Sequence, residues 1–335
     1  MAKPSAPAAI RVGDPMPRIA LPQATGGVFD SWDPRSAGFA RTYWVGAPPA
    51  TVLSPPYVEQ LAASEMLLHV VTTAAPAHSL PVSWLIDARN DLARAFAGSE
   101  PLVILADSAG RVAHILAEPT AEQLAELAER LFRATPTAVI QSQAPVLLLE
   151  RVVDDELCKA LIAYWEGREK LTNTIDAPGG NIASADLKRR QDVQVDDPVL
   201  FKRLREALVR RISPLILQAF HTTINVLEAP VIGCYDTASG GWFRRHRDNT
   251  TPATANRQFA VTLNLNSGEE YDGGEVRFPE FGRQLYRPAA GGALVFSCSL
   301  LHEVVPVTRG RRIGLFTFMS TRGRDQPLAR PPNRA

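Results

Sequence analysis

The stretch FAVTLNLNSGEEYDGGEVRFPEFG, residues 259–282, decides the fold. It reads as two strands joined by a turn at Gly273-Gly274, where glycine supplies the backbone freedom a tight reversal needs. The pattern continues outward on both sides. VIGCY (231–235) precedes it, and ALVFSCS (293–299) and IGLFTFM (313–319) follow, with Gly-, Asn- and Pro-bearing turns between them. Many short strands separated by turn signals predict an antiparallel barrel or jelly roll.

Within this strand-rich half, a few polar residues stand at suggestive spacings. FRRHRDN (243–249) places His246 and Asp248 two residues apart. Alternation along a strand would put both on the same side. His302 falls at the end of a later strand, and Arg312 at the start of the next. Two histidines and one carboxylate on one face of an iron leave the opposite coordination positions open, which is what non-haem Fe(II) oxygenases need. Arg312 would point inward and could grip a carboxylate with two parallel hydrogen bonds. A His-x-Asp tripeptide alone is most often surface. It gains meaning here only through His302 and Arg312 downstream.

Taken in order over residues 230–320, these features resemble the prolyl 4-hydroxylase-like branch of the 2-oxoglutarate/Fe(II) dioxygenases, and in particular its bacterial PKHD-type members. The matching elements are Tyr235, the pair His246/Asp248, the run TLNLN…YDGGEVRFPEFG, the run LHEVVPVTRGRR and the closing strand. The resemblance implies a double-stranded β-helix with iron ligands at His246, Asp248 and His302. It implies that Arg312 salt-bridges the distal carboxylate of 2-oxoglutarate, with Tyr235 as helper. The implied cofactors are Fe(II), 2-oxoglutarate and O₂, with ascorbate as a candidate reductant. The implied reaction hydroxylates an unactivated C–H bond while 2-oxoglutarate is decarboxylated to succinate and CO₂. Related halogenases lack the carboxylate ligand, so Asp248 favours hydroxylation. The substrate is expected to be either a prolyl-like protein residue or a small amino-acid or natural-product molecule. The competing expectation is a non-catalytic module that senses 2-oxoglutarate, iron or oxygen, or binds a partner. Arg244, Arg257, Trp242 and Asn249 flank the implied site and are candidate substrate contacts. Several arginines at one opening would favour an anionic substrate.

The rest of the chain bounds the setting. With 335 residues it has length for two domains, and 45% hydrophobic with 21% charged residues is ordinary for a globular protein. A net charge of +1 gives no bulk attraction to nucleic acid or an anionic membrane. No apolar run approaches a membrane span, and the start of the chain lacks the apolar core of a secretory signal. Three widely spaced cysteines, with no CxxC pair, argue against a disulfide framework and fit a cytoplasmic location.

A small, polar, proline-containing seam at RATPTAVIQSQAP (133–145) separates the expected domains, residues 1–137 and 144–325, the jelly-roll core lying at about 228–320. The fold class expected for the whole is α+β in two domains. In the first, LLHVVTT (67–73) predicts a strand, DARNDLARAFAG (87–98) a helix, and PLVILADSAGRVAHIL (101–116) a hairpin turning at Ser108-Ala109-Gly110. PTAEQLAELAERLF (119–132) predicts a helix with a Thr120/Gln123 capping box. In the second, DDELCKALIAYWE (154–166) and DDPVLFKRLREALVRRI (196–212) predict helices. The runs VGDPMPRIALPQATGGVF (12–29) and PLVILADSAGRV resemble peroxiredoxin-like (AhpC/TSA) domains, which implies a thioredoxin-like fold for the first domain. No cysteine precedes Cys158, so the thiolate nucleophile of that family is absent and thiol-peroxidase chemistry is excluded. Partner docking, homodimerisation or covering of the oxygenase mouth remain as roles for it.

Overall fold

The computed structural model describes residues 9–34, 37–76, 82–96, 101–172, 174–177, 180–183 and 185–321, apart from 134–138. The chain divides into two compact units, Met1–Val139 and Ile140–Ala335.

The first unit is built on a five-stranded mixed sheet. Its order is Ser83–Ile86, Met66–Thr72, Ala40–Val45, Leu102–Ala106, Val112–Ala117. The first three strands run parallel to one another, and the last two add antiparallel. The central strand, ARTYWV, is buried along its whole length. It carries no alternation, and Arg41 and Thr42 interrupt its apolar run, so periodicity alone does not announce it. Apolar contacts are supplied on one face by Trp44, Val103 and Leu105, which pack on Leu61 and Leu124 of the helices Pro55–Ala63 and Ala121–Arg133. The hairpin turns at Gly110, whose φ is +72°. The capping box is present: Gln123 N–H donates to Thr120 Oγ1 (3.2 Å) and Thr120 N–H to Gln123 Oε1 (2.9 Å). The helix expected over 87–98 is shorter, Asp91–Ala95. Asn90 takes a left-handed conformation, and the Asp87 carboxylate accepts from the Leu92 N–H at 2.8 Å, so the first helical turn begins only there. Residues 97–98 of that expectation lie outside the described residues.

The second unit is built on two larger antiparallel sheets, with helices on one outer face and a separate two-stranded hairpin, Thr174–Ala177 with Gly180–Ala183. The larger sheet runs Val146–Leu149, Ala293–Ser297, Phe259–Asn264, Val307–Ser320, Val231–Asp236, Gln191–Gln194, Leu171–Thr172. The smaller runs Lys188–Arg189, Trp242–His246, His302–Val304, Val276–Arg277, Leu285–Tyr286. Period-two alternation assigns the faces of the larger sheet. Ile232, Cys234, Val261, Leu263, Val295, Ile313 and Leu315 face the helices Asp155–Glu166 and Pro198–Phe220, where they meet Leu161, Trp165, Leu204 and Leu208. Tyr235, Ala260, Leu294 and Phe296 point the other way, into a second apolar cluster with Val276, Phe278 and Val304. Both helices begin on an aspartate, Asp154 and Asp197, whose carboxylates accept from the third helical N–H (2.8 and 2.7 Å). The second helix runs on to Phe220 and contains Pro214. Among the described residues no helix is long and apolar enough to cross a membrane.

Candidate metal centre

The strand Trp242–His246 pairs antiparallel with His302–Val304, and His246 and His302 are direct register partners. A bulge between Phe243 and His246 breaks the even register and brings the two rings to a centroid separation of 4.2 Å. Asp248 is not carried by strand alternation as expected. The strand ends at His246, and Asp248 lies in the turn that follows, held there by its own N–H on the Cys298 carbonyl at 3.0 Å. The outcome is nonetheless a convergent cluster: one ligand atom from each of His246, Asp248 and His302 lies within 4.8 Å of the others. His246 Nε2 is 3.4 Å from Asp248 Oδ1, and His302 Nε2 is 3.5 Å from Asp248 Oδ2.

The outer contacts fix what these atoms offer. His246 Nδ1 meets the Arg244 carbonyl at 2.7 Å, and His302 Nδ1 the Leu300 carbonyl at 3.0 Å. A carbonyl only accepts, so each Nδ1 carries a proton, which leaves Nε2 as the ring atom available to a metal. Phe243 stacks on His246 at 3.6 Å, and Phe296 packs edge-on against His302 at 4.7 Å. Burial lowers the His302 pKa to about 4, outweighing the attraction of Asp248, and so keeps the ring neutral. Burial opposes the charge on Asp248, but the His302 and His246 rings and Arg257 hold its carboxyl below the usual range. Two imidazole nitrogens and one carboxylate, all converging on one point, fit a divalent iron.

A cavity of about 550 Å³ opens from the cluster. His246, Asp248, His302, Tyr235, Arg244 and Arg257 all contribute to its wall. Trp242 and Asn249 do not: Trp242 lies under the Arg244 guanidinium at 4.9 Å, and Asn249 donates to Ser299 Oγ at 2.7 Å. Arg257 forms a forked pair with Glu228 (2.9 and 2.7 Å), and Arg247 pairs with Glu280 at 2.6 Å. Within FRRHRDN, Arg247 is matched by Glu280 and Arg245 lies 3.4 Å from Glu303.

Arg312 lies well inside the strand Val307–Ser320 rather than at its start, and it points inward with only 1% exposure. Its Nε donates to Asn264 Oδ1 at 3.0 Å and its Nη1 to the Gly274 carbonyl at 2.5 Å. Nη2 has no hydrogen-bond partner among the described residues. Tyr235 is its register partner on the neighbouring strand, and the guanidinium carbon sits 5.7 Å from the Tyr235 ring centre. Gly274, at φ +73°, has no room for a side chain, since a Cβ would come within 3.0 Å of Arg312 Cδ. A buried guanidinium with an open donor fits a carboxylate ligand.

Sequence reasoning missed Lys188, Arg190 and Asp192, which also line the cavity. They lie in the charged run LKRRQD, which reads as solvated surface, and the signal that could have found them is the two-residue spacing into the apolar strand end.

The 2OG-Fe(II) oxygenase superfamily model matches residues 231–320. A PKHD-type hydroxylase of Teredinibacter turnerae is 30% identical over 179 residues, spanning 51% of this chain and 77% of the relative. The chain belongs to the 2-oxoglutarate/Fe(II) oxygenase family of PKHD-type hydroxylases. A second relative, the PKHD-type hydroxylase of Acidovorax ebreus, is 33% identical over 159 residues, 45% of this chain and 67% of that one. Among solved structures, a Pseudomonas putida prolyl-4-hydroxylase aligns with 23% identity and a TM-score of 0.41, over 54% of this chain and 95% of that chain. This oxygenase uses Fe(II), 2-oxoglutarate and O₂ to hydroxylate its substrate, and the His-Asp-His cluster fits the iron.

Proposed function

We propose that His246, Asp248 and His302 hold the catalytic Fe(II), and that Arg312 with Tyr235 receives the distal carboxylate of 2-oxoglutarate. The observation that carries this reading is the convergence of two register-paired histidines and a carboxylate on one point, together with a buried arginine whose Nη2 has no hydrogen-bond partner among the described residues and whose register partner, Tyr235, lines the same cavity as the cluster. Bound there, the iron supplies oxygen activation coupled to decarboxylation of the cosubstrate. The chain's own residues do the rest. The Arg244 and Leu300 carbonyls orient the imidazoles, and the Cys298 carbonyl anchors the turn bearing Asp248. Phe243, Val276, Phe296 and Val304 form an apolar wall that limits water at the reacting end.

The hydroxylated group is of side-chain size, carried by a peptide or by a small molecule. The relatives' designation as PKHD-type hydroxylases and the size of the cavity support this. The pairing of Arg247 and Arg257 with carboxylates leaves Arg244 as the main support for an anionic substrate. Succinate formation from 2-oxoglutarate, with Fe(II) and ascorbate, against a panel of prolyl peptides and free amino acids tests the assignment. Stimulation by one class identifies it. Bound iron without turnover on any member would turn the reading toward a sensing module.

The domain boundary is proposed at the 133–145 seam, and the first unit is proposed to be thioredoxin-like and cytoplasmic with the rest of the chain. After a short hairpin, Ala20–Pro22 with Val28–Asp30, its order of strand, helix, two strands, helix, hairpin and last helix supports that reading, as does the central position of Ala40–Val45. It would serve homodimerisation or docking of a partner, without thiol chemistry.

A further inference from the structure

The cavity wall contains a buried ion pair that the metal cluster does not use. Arg190 Nε lies 2.5 Å from Asp192 Oδ1 and Arg190 Nη2 3.1 Å from Oδ2, a two-pronged grip that leaves little torsional freedom. Lys188 Nζ adds a third contact to the same carboxylate at 2.8 Å. The pair lies across the neighbouring strand at Gly233, where a Cβ would come within 2.6 Å of Arg190 Nε and 2.8 Å of Asp192 Oδ1. With its fork fixed in this way, Arg190 extends Nη1 to the Tyr235 hydroxyl oxygen at 3.3 Å and lies 4.1 Å over the Phe316 ring.

Tyr235 thus accepts from Arg190, and among the described residues its hydroxyl donates to none. A phenol oxygen engaged by a donor on one side keeps its proton for an acceptor on another. Gln191 is the register partner of Cys234 and Arg312 that of Tyr235, so Arg190, immediately before the strand Gln191–Gln194, continues the register into one inward row with Tyr235 and Arg312.

We infer that Arg190, clamped by Asp192 over Gly233, is a positioning residue that aims the Tyr235 hydroxyl proton, beside Arg312 Nη2, at the distal carboxylate of 2-oxoglutarate. This rests on the assignment of Arg312 and Tyr235 made above. Arg190 acts through the phenol, so its contribution disappears when the hydroxyl does.

The test is anaerobic titration of the Fe(II)-loaded full chain with 2-oxoglutarate, followed by the visible charge-transfer band of the complex, without primary substrate. Arg190→Gln is expected to weaken 2-oxoglutarate binding roughly tenfold, the scale of one charge-supported hydrogen bond. Fe(II) affinity, measured separately, should not change. In a Tyr235→Phe background the same substitution should add nothing further. A full tenfold effect in that background, or unchanged 2-oxoglutarate affinity in the single variant, overturns the inference. Should Arg190→Gln fail to fold, Arg190→Lys keeps a charge for Asp192 but lacks the fork that reaches Tyr235, and it is read by the same criteria. Arg312→Gln separates the two levels. If it leaves 2-oxoglutarate affinity intact, the cosubstrate assignment itself fails; if it weakens binding while the Arg190 variants do not, only the positioning role fails.

Discussion

His69 in the first unit and His302 in the second are both buried imidazoles whose basicity burial has reduced, to about 3 and about 4. Their surroundings differ in the one respect that matters for chemistry. His69 sits between the rings of Phe29 and Tyr43, 4.4 and 5.3 Å away, and neither of its nitrogens has a partner among the described residues. His302 has Nδ1 on a carbonyl and Nε2 facing a carboxylate and a second histidine. The first ring acts as an aromatic filler that carries a desolvation cost. The second is aimed. Burial alone does not make a ligand; a fixed tautomer and a convergent partner do.

The largest effect that would break this contrast is expected at His302. His302→Ala should reduce iron retention and turnover by more than the roughly 10–100-fold that loss of an outer partner costs a metal site. Metal content after dialysis and succinate release measure it, and substantial turnover in this variant would remove His302 from the ligand set. His69→Ala has no reason to touch iron at all.

His69 should instead govern acid stability. Its folded pKa lies below the unfolded value, so above about 6.5 both states are neutral and nothing is lost. As pH falls from about 6.5 toward about 3, the unfolded chain takes up a proton that the folded ring refuses, costing up to about 1.4 kcal/mol per pH unit. Thermal unfolding of the whole chain between pH 7.5 and pH 5 should show this loss. His69→Phe, which keeps a ring between Phe29 and Tyr43 without buried nitrogens, should lessen it, leaving the share due to His302, and should match or exceed wild-type stability. An equally steep acid loss in His69→Phe would assign the effect elsewhere.

The smallest effect is expected at the edge of the same unit. Thr120→Ala removes one half of the capping box of the helix Ala121–Arg133 and should cost about 1 kcal/mol, read from denaturant unfolding, with no change in iron content. A neutral substitution would mean that the helix is held by Leu124 and its neighbours alone.

Much of the catalytic half was legible because strand chemistry leaves a local trace. The short apolar run opening FAVTLN, the glycine pair at 273–274 and the spacing of His302 and Arg312 are all local features of the sequence. Asp248 was found for an incomplete reason: it is placed by a turn and a backbone hydrogen bond to Cys298 rather than by pleating. Ala40–Val45 was missed because a strand buried on both faces has no alternation to read, and Arg41 and Thr42 break the apolar run that would otherwise mark it. Arg190 and Asp192 were missed because a charged run is ordinarily solvated, and nothing local shows that a glycine on another strand makes room for it.

By itself, the sequence determined which residue types were present for iron and cosubstrate chemistry, and that a thiolate was absent from the first unit. These are matters of identity and spacing. Only the tertiary structure decided that Arg190 joins Tyr235 and Arg312 in one row, that Arg257 is matched by Glu228, and that His69 is walled in while His302 is aimed. Each of those depends on pairing strands far apart in the chain, where register sets which side chains share a face.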